Sequence, residues 1–193
     1  MRPGGEGTAP PALLVVDVQI GLDDPVHGRR NNPGAESNIA RLLAAWRAAG
    51  VPVVHVQHHS IEPGSTLRPE APGCEVKPEA RPVPGEKLFR KHTNSAFVGT
   101  DLEAHLRGAG IDSLVVAGLT TDHCVSSTVR AAADLGFSVA VVHDATACHE
   151  RLGHDGRIFE AQLVHELALA HLRGEFARIL TTEEAIGQLR GVG

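Results

Sequence analysis

The chain has 193 residues, enough for one domain with a sizeable core, and is 42% hydrophobic and 21% charged, as soluble globular proteins are. A formal charge of -5 without a basic cluster argues against nucleic acid, and 3% aromatic residues with no tyrosine leave no base-stacking surface. No apolar run is long enough for a bilayer, and Cys74, Cys124 and Cys148 are too scattered for a disulfide framework, which fits a reducing, cytoplasmic setting.

Residues 1–11 are rich in Gly and Pro, lack an apolar signal core and read as a loose tail, leaving 12–193 as one domain. Ala12–Leu13–Leu14–Val15–Val16–Asp17–Val18 is an apolar run of the kind buried on both faces in parallel sheets, broken by one carboxylate near its end. A carboxylate there is costly unless it is paired or the strand empties into a site. A polar loop over residues 23–33 precedes a helix carrying Ile39, Leu42, Leu43, Trp46 and Ala49, closed by Gly50. Val51 to Gln57 is a second buried strand.

From His58 to Glu86, Pro63, Pro69, Pro72, Pro78, Pro82 and Pro84 exclude regular structure, which predicts a long ordered excursion over the active face. Lys87–Arg90 is a short third strand leading to Lys91. Thr100 and Glu103 have capping-box spacing before a helix with Leu102 and Leu106 on its apolar stripe. Ser113–Gly118 is the fourth strand, followed by a short polar turn, Cys124 and a helix with Val129, Ala132 and Ala133 that stops at Gly136. Phe137–Asp144 is the fifth strand. Ile158–Leu172 reads as a helix with Leu163, Leu167 and Ala170 on one face, Phe176–Leu180 as the sixth strand, and Thr181–Glu184 as the cap of a last helix.

Strands and helices thus alternate into an α/β class chain, a three-layer α/β/α arrangement around a six-stranded, mostly parallel sheet. Ligands of such sheets bind beyond the carboxyl ends of the strands, where strand order reverses. Asp17, Lys91 and Cys124 each fall at or just after such an end. Alone, Cys124 fits two readings: a small packing residue, or a nucleophile whose pKa the following helix start lowers. With the other two the chemistry becomes coherent. Asp17 accepts the thiol proton, the Lys91 ammonium steadies the anion, and backbone N–H groups of the 118–124 turn face the oxygen of a tetrahedral intermediate.

Leu14–Val15–Val16–Asp17–Val18–Gln19, Lys91 with Ser95–Ala96–Phe97, Gly118 through Cys124–Val125 to Thr128, and Val141–Val142–His143–Asp144–Ala145 follow one another in an order that resembles the isochorismatase-like cysteine hydrolases. That superfamily includes nicotinamidases, N-carbamoylsarcosine amidohydrolase and streptothricin hydrolase, and the likeness runs from Ala12 to Leu189. It implies a Rossmann-like fold with Asp17 as general base and acid, Lys91 as its charged partner and Cys124 as nucleophile. It further implies a non-proline cis peptide at Leu119–Thr120, an oxyanion hole from the Thr120 and Cys124 N–H groups, and a homodimer or homotetramer. The reaction implied is cleavage of a C–N bond in a small amide, lactam or ureide through a thioester, without a cofactor. The alternatives are a vinyl-ether hydrolase of the isochorismatase type and a non-catalytic or redox-sensing protein with an oxidisable Cys124.

Nicotinamidases hold a metal through an Asp-x-His pair after the second strand, whereas this chain reads His55–Val56–Gln57–His58–His59–Ser60 there. Strand alternation also sends His58 to the face opposite His55 and His59, so no metal is expected. His58, Gln19, Leu22 and Asn94 are candidate substrate contacts. For His58 a solvated loop position, and for Gln19 and Asn94 a loop-holding role, are the competing readings. His123 beside the cysteine is expected to point elsewhere, and Cys74 and Cys148 to be bystanders. His143–Asp144 lacks the Gly-x-Cys-x-Gly elbow that an α/β-hydrolase triad needs. No Gly-x-Gly-x-x-Gly or Walker motif indicates a nucleotide.

Overall fold

The computed structural model describes residues 10–191. The predicted tail therefore lies, except for Pro10 and Pro11, outside the described residues, and Pro11 is not loose, since its carbonyl accepts the Trp46 indole N–H at 2.7 Å.

Six strands, β1 (Ala12–Val16), β2 (Val53–His58), β3 (Lys87–Lys91), β4 (Ser113–Leu119), β5 (Ser138–Ala147) and β8 (Arg178–Leu180), form one sheet in the order β3-β2-β1-β4-β5-β8. Every neighbouring pair is parallel. Alternating side chains of the apolar strands enter two different cores. On one face Leu13, Val15, Val53, Val115 and Val142 meet Ile39, Leu42, Leu43 and Trp46 of α1 (Ala35–Ala48) and Ala185 of α5 (Thr182–Gly187). On the other face Leu14, Val16, Val54, Val56, Val116 and Val141 meet α2 (Leu102–Gly108), α3 (Ser126–Asp134) and Leu172 of α4 (Ala161–Leu172). The chain lays down β1, β2 and β3 to one side and returns with β4 on the other, so strand order reverses at the β1/β4 carboxyl ends.

Gly118 makes that junction possible. Its φ is +129°, and a Cβ there would lie 2.0 Å from the Val16 carbonyl oxygen. Gly118→Ala is expected to cost about 2–4 kcal/mol, because backbone rather than a flexible side chain must move. The melting temperature should fall on the order of 10 °C; an unchanged value would mean that β1 and β4 can part without cost.

Several local expectations give way to tertiary context. The helix predicted from Ile158 starts at Ala161, because Ile158–Phe159 (β7) pairs antiparallel with Arg151–Leu152 (β6). Its expected apolar face is turned outward, with Leu163 and Leu167 45% and 48% exposed, and the buried residues are Ala161, His165 and Leu172. At the start of α2 the Thr100–Glu103 capping box does not form; the Thr100 hydroxyl donates to the Ala96 carbonyl instead, at 2.6 Å. The same motif at Thr181 and Glu184 does close, with Thr181 and Glu184 exchanging bonds of 2.8 and 3.1 Å.

The proline-rich excursion holds only two short 3₁₀ turns, Pro72–Cys74 and Pro78–Ala80. It is tied to the segment beyond β1 by Ile20 N–H to Glu75 O and Lys77 N–H to Val18 O, both 2.9 Å. Gly21 and Gly73 meet backbone to backbone, so close that a Cβ on Gly73 would lie 2.7 Å from the Gly21 Cα. The excursion therefore fixes the floor next to Asp17.

Candidate active site

Four neighbouring strands deliver one reactive side chain each at their carboxyl ends. In sheet order these are Lys91 from β3, His58 from β2, Asp17 after β1 and Cys124 after β4. Asp17 takes a left-handed backbone (φ 49°), which a non-glycine residue adopts only where its surroundings demand it. Its N–H is held by the Val56 carbonyl at 2.9 Å, and its carboxylate is buried.

Lys91 is the hub of the group. Its Nζ lies 2.7 Å from Asp17 Oδ2 and donates to Cys124 Sγ (3.2 Å), His58 Nδ1 (3.2 Å) and the Thr93 carbonyl (3.0 Å). Four acceptors thus share three ammonium protons, and the contact with Asp17 is the shortest of the four. It joins opposite charges, although its alignment as a hydrogen bond is poor.

Cys124 lies in a π-helical turn, Thr121–Val125, that leads into α3. The N–H groups of His123 and Val125 both donate to the Thr120 carbonyl, at 3.2 and 3.1 Å, whereas the Cys124 N–H between them does not. The Leu119–Thr120 peptide is cis. The turn is braced from behind by Arg151, which donates to both Asp122 oxygens at 2.7 and 3.2 Å, and by His165 Nδ1 at 2.8 Å from the Thr121 hydroxyl.

The electrostatics correct one expectation. The thiol is not lowered: burial and then the Asp17 charge push Cys124 up to about 12, and Lys91 offsets them only in part. Burial likewise raises the Asp17 carboxyl, against the opposing Lys91 charge. The resting site accordingly holds a neutral thiol, and the thiolate forms only by handing its proton over.

The other sequence candidates divide. Asn94 is exposed and accepts from the Cys124 thiol at 3.7 Å. Gln19 is fully buried, with its amide spent on His58 O, Cys74 O and His58 N–H at 2.8–2.9 Å, so it holds loops and offers no atom to a ligand. Leu22 packs with Ala35, Leu119, Ala147 and Leu67 in a small core and is 7% exposed, so it is a support rather than a pocket wall. His123 is turned to Asp122 (3.4 Å), and His59 to Gln57 (3.2 Å). Asp144 Oδ1 accepts the Thr182 N–H and hydroxyl, both at 2.8 Å. Cys74 and Cys148 are buried and unpaired. Arg151 and His165 had no sequence signal as braces, because both reach the turn from distant segments.

Asp17, His58 and Cys124 also bring ligand atoms within 4.8 Å of one another, as a metal site does. The Lys91 ammonium stands 2.7–3.2 Å from all three, so a cation there would meet a like charge. This donor set suits proton and acyl transfer better than metal binding. His55 is separately engaged with Glu86 at 2.8 Å. Two surface depressions, of about 550 Å³ beside Arg30 and Lys77 and about 440 Å³ beside Gln57 and Arg90, do not include Cys124; the chemistry, not the size of a cavity, marks the site. Among the described residues no helix is long and apolar enough to cross a membrane.

Residues 11–184 match the Isochorismatase domain family. The isochorismatase family protein YrdC of Bacillus subtilis is 41% identical over 91% of this chain and 94% of its own length. Streptothricin hydrolase of Streptomyces noursei is 39% identical over 72% of this chain and 50% of its own. A crystal structure of an isochorismatase-family protein from Chromobacterium violaceum superposes with a TM-score of 0.92 at 44% identity, covering 97% of this chain and 96% of that one.

Proposed function

We propose that this chain, which belongs to the isochorismatase family, is a cysteine hydrolase that cleaves a C–N bond of a small amide, lactam or ureide. The observation that carries this reading is the Lys91 ammonium, 2.7 Å from the Asp17 carboxylate and 3.2 Å from the Cys124 sulfur. A thiol, a base and a cation in mutual contact are the parts of an acyl transfer.

In the first half-reaction Asp17 takes the thiol proton as sulfur attacks the substrate carbonyl carbon. Lys91 steadies the sulfur while its charge is unspent. The oxygen gains negative charge, which the N–H groups of Thr120 and Cys124 are positioned in sequence to receive. The C–N bond then breaks, the Asp17 carboxyl gives its proton to the leaving nitrogen, and a thioester remains. In the second half Asp17 takes a proton from water as that water attacks the thioester. The C–S bond breaks, the acid departs, and Asp17 returns the proton to sulfur. The raised Asp17 carboxyl favours holding a proton between the steps. Hydrolysis of a vinyl ether needs an acid but no acyl nucleophile, so the Lys91–Cys124 contact supports C–N cleavage over it. Three unpaired cysteines support a reducing compartment.

Incubation with a panel of amides, lactams and ureides, followed by intact-mass measurement, is the test. The acyl mass should appear on Cys124 and decay with hydrolysis, and hydroxylamine should divert it to the hydroxamate. Turnover that proceeds with Cys124 blocked would transfer the reading to the ether hydrolase. No turnover together with clean, reversible oxidation of Cys124 by peroxide would transfer it to a redox sensor.

A further inference from the structure

His58 has no part in the proton transfers described above, yet it stands in the site. Its backbone is clamped on both sides by Gln19, whose Oε1 accepts the His58 N–H at 2.8 Å and whose Nε2 donates to its carbonyl at 2.9 Å. Its ring is therefore held at the end of β2, with Nδ1 3.2 Å from Lys91 Nζ. An ammonium donates and cannot accept, so Nδ1 must present its lone pair, and the ring proton of the neutral imidazole must sit on Nε2. Burial, then the Lys91 charge, holds the ring down to about 4 against the nearby Thr93 carbonyl, which keeps it neutral. Nε2 is not among the sealed polar atoms, and the ring lies in the site, where ligand atoms of His58, Asp17 and Cys124 are within 4.8 Å of one another. Exposed Asn94, whose Oδ1 accepts a hydrogen bond from the thiol at 3.7 Å, stands on the same rim.

We infer that His58 is a substrate-binding residue whose Nε2–H, fixed in that tautomer by Lys91, donates to an acceptor oxygen flanking the scissile carbonyl. The site then takes a ureide, or an amide bearing a second carbonyl or carboxylate oxygen, in preference to a plain alkyl amide. Asp17 and Lys91 cancel each other's charge, so the donor on the rim sets the preference. The substrate class rests on the cysteine-hydrolase reading, but the donor itself is testable without turnover.

Two measurements on the full chain decide it. In ¹⁵N-histidine spectra the His58 ring, assigned by its loss in His58→Asn, should be neutral with the proton on Nε2 from pH 6 to 8. The second compares alkylation of Cys124 by iodoacetamide, which carries an acceptor oxygen beside the reacting carbon, with alkylation by methyl iodide, which carries none. Both reagents consume thiolate, so their rate ratio cancels any change in the thiol's ionisation. His58→Asn keeps an acceptor for Lys91 but loses the outer donor, and its ratio should fall roughly 3–10-fold. His58→Gln restores an outer N–H and should stay within about twofold of the wild type. A proton on Nδ1, a cationic ring, or a ratio that is unchanged in both variants or falls equally in both assigns His58 to holding Lys91 alone and overturns the inference. Failure of the acyl-adduct experiment would leave these two readouts intact, so the two ideas fail separately.

Discussion

Cys124→Ala should abolish hydrolysis, lowering kcat by roughly 10³–10⁶-fold, the range seen when a covalent nucleophile is removed. The exchange takes away one sulfur atom at a partly exposed position. It leaves the 2.7 Å contact between Lys91 and Asp17, the Arg151 brace on Asp122 and the His165 brace on Thr121 in place. The turn should therefore keep its shape, and the melting temperature should move by only a few degrees, since Sγ gives up no more than its bonds with Lys91 and Asn94. That contrast separates a chemical loss from a structural one. Residual activity within tenfold of the wild type, in a variant that folds, would show that sulfur forms no bond to substrate. Asp17 would then be left as a simple acid, and the ether-cleaving alternative would follow.

The sheet and its reactive edge were legible in the sequence because buried parallel strands must be apolar throughout. An Asp at the end of Leu13–Val16 had to be paired or stand where the strand empties into a site, and Cys124, ambiguous alone, gained its meaning by falling on the same sheet edge as Asp17 and Lys91. The thiol's ionisation was not legible. The helix start argues for lowering it, but Asp17 and burial come from segments more than a hundred residues away in the chain, and they decide the outcome. Leu22 was misjudged as a pocket wall for a related reason: its proximity to Asp17 in sequence says nothing of the proline-rich excursion, whose Leu67 packs against it. Of the two readings open for Gln19, the same excursion decides for loop-holding, as its amide braces Cys74 and His58. Leu163 and Leu167 show the limit of periodicity: the stripe on α4 is real, but Leu172 and His165 hold the helix to the sheet and turn that stripe outward.

Asp17→Asn should split two properties that normally move together, speeding alkylation of Cys124 while stopping hydrolysis. In the wild type the thiol is pushed up to about 12, so iodoacetamide should react slowly at pH 7 and about tenfold faster with each added pH unit below that value. Part of that elevation is the Asp17 charge, which opposes a second anion beside it; the Lys91 charge acts the other way. Asparagine has nearly the carboxylate's shape without its charge, so the opposing charge disappears and the favouring one stays. The sign is therefore downward, and the profile should shift to lower pH. There is a second push in the same direction. Lys91 is fully buried, and without Asp17 its ammonium has no counter-charge other than the sulfur 3.2 Å away, which becomes its partner by ionising. Alkylation at pH 7 should rise by about tenfold or more, the equivalent of at least one pKa unit. Turnover should nonetheless drop roughly 10²–10⁴-fold, because asparagine can neither protonate the leaving nitrogen nor take a proton from the attacking water. A variant whose thiol reacts no faster than the wild type would mean that the carboxylate does not act on the sulfur. A variant that still turns over would mean that some other group carries the proton, and in either case the Asp17–Lys91–Cys124 relay could not be how this enzyme works.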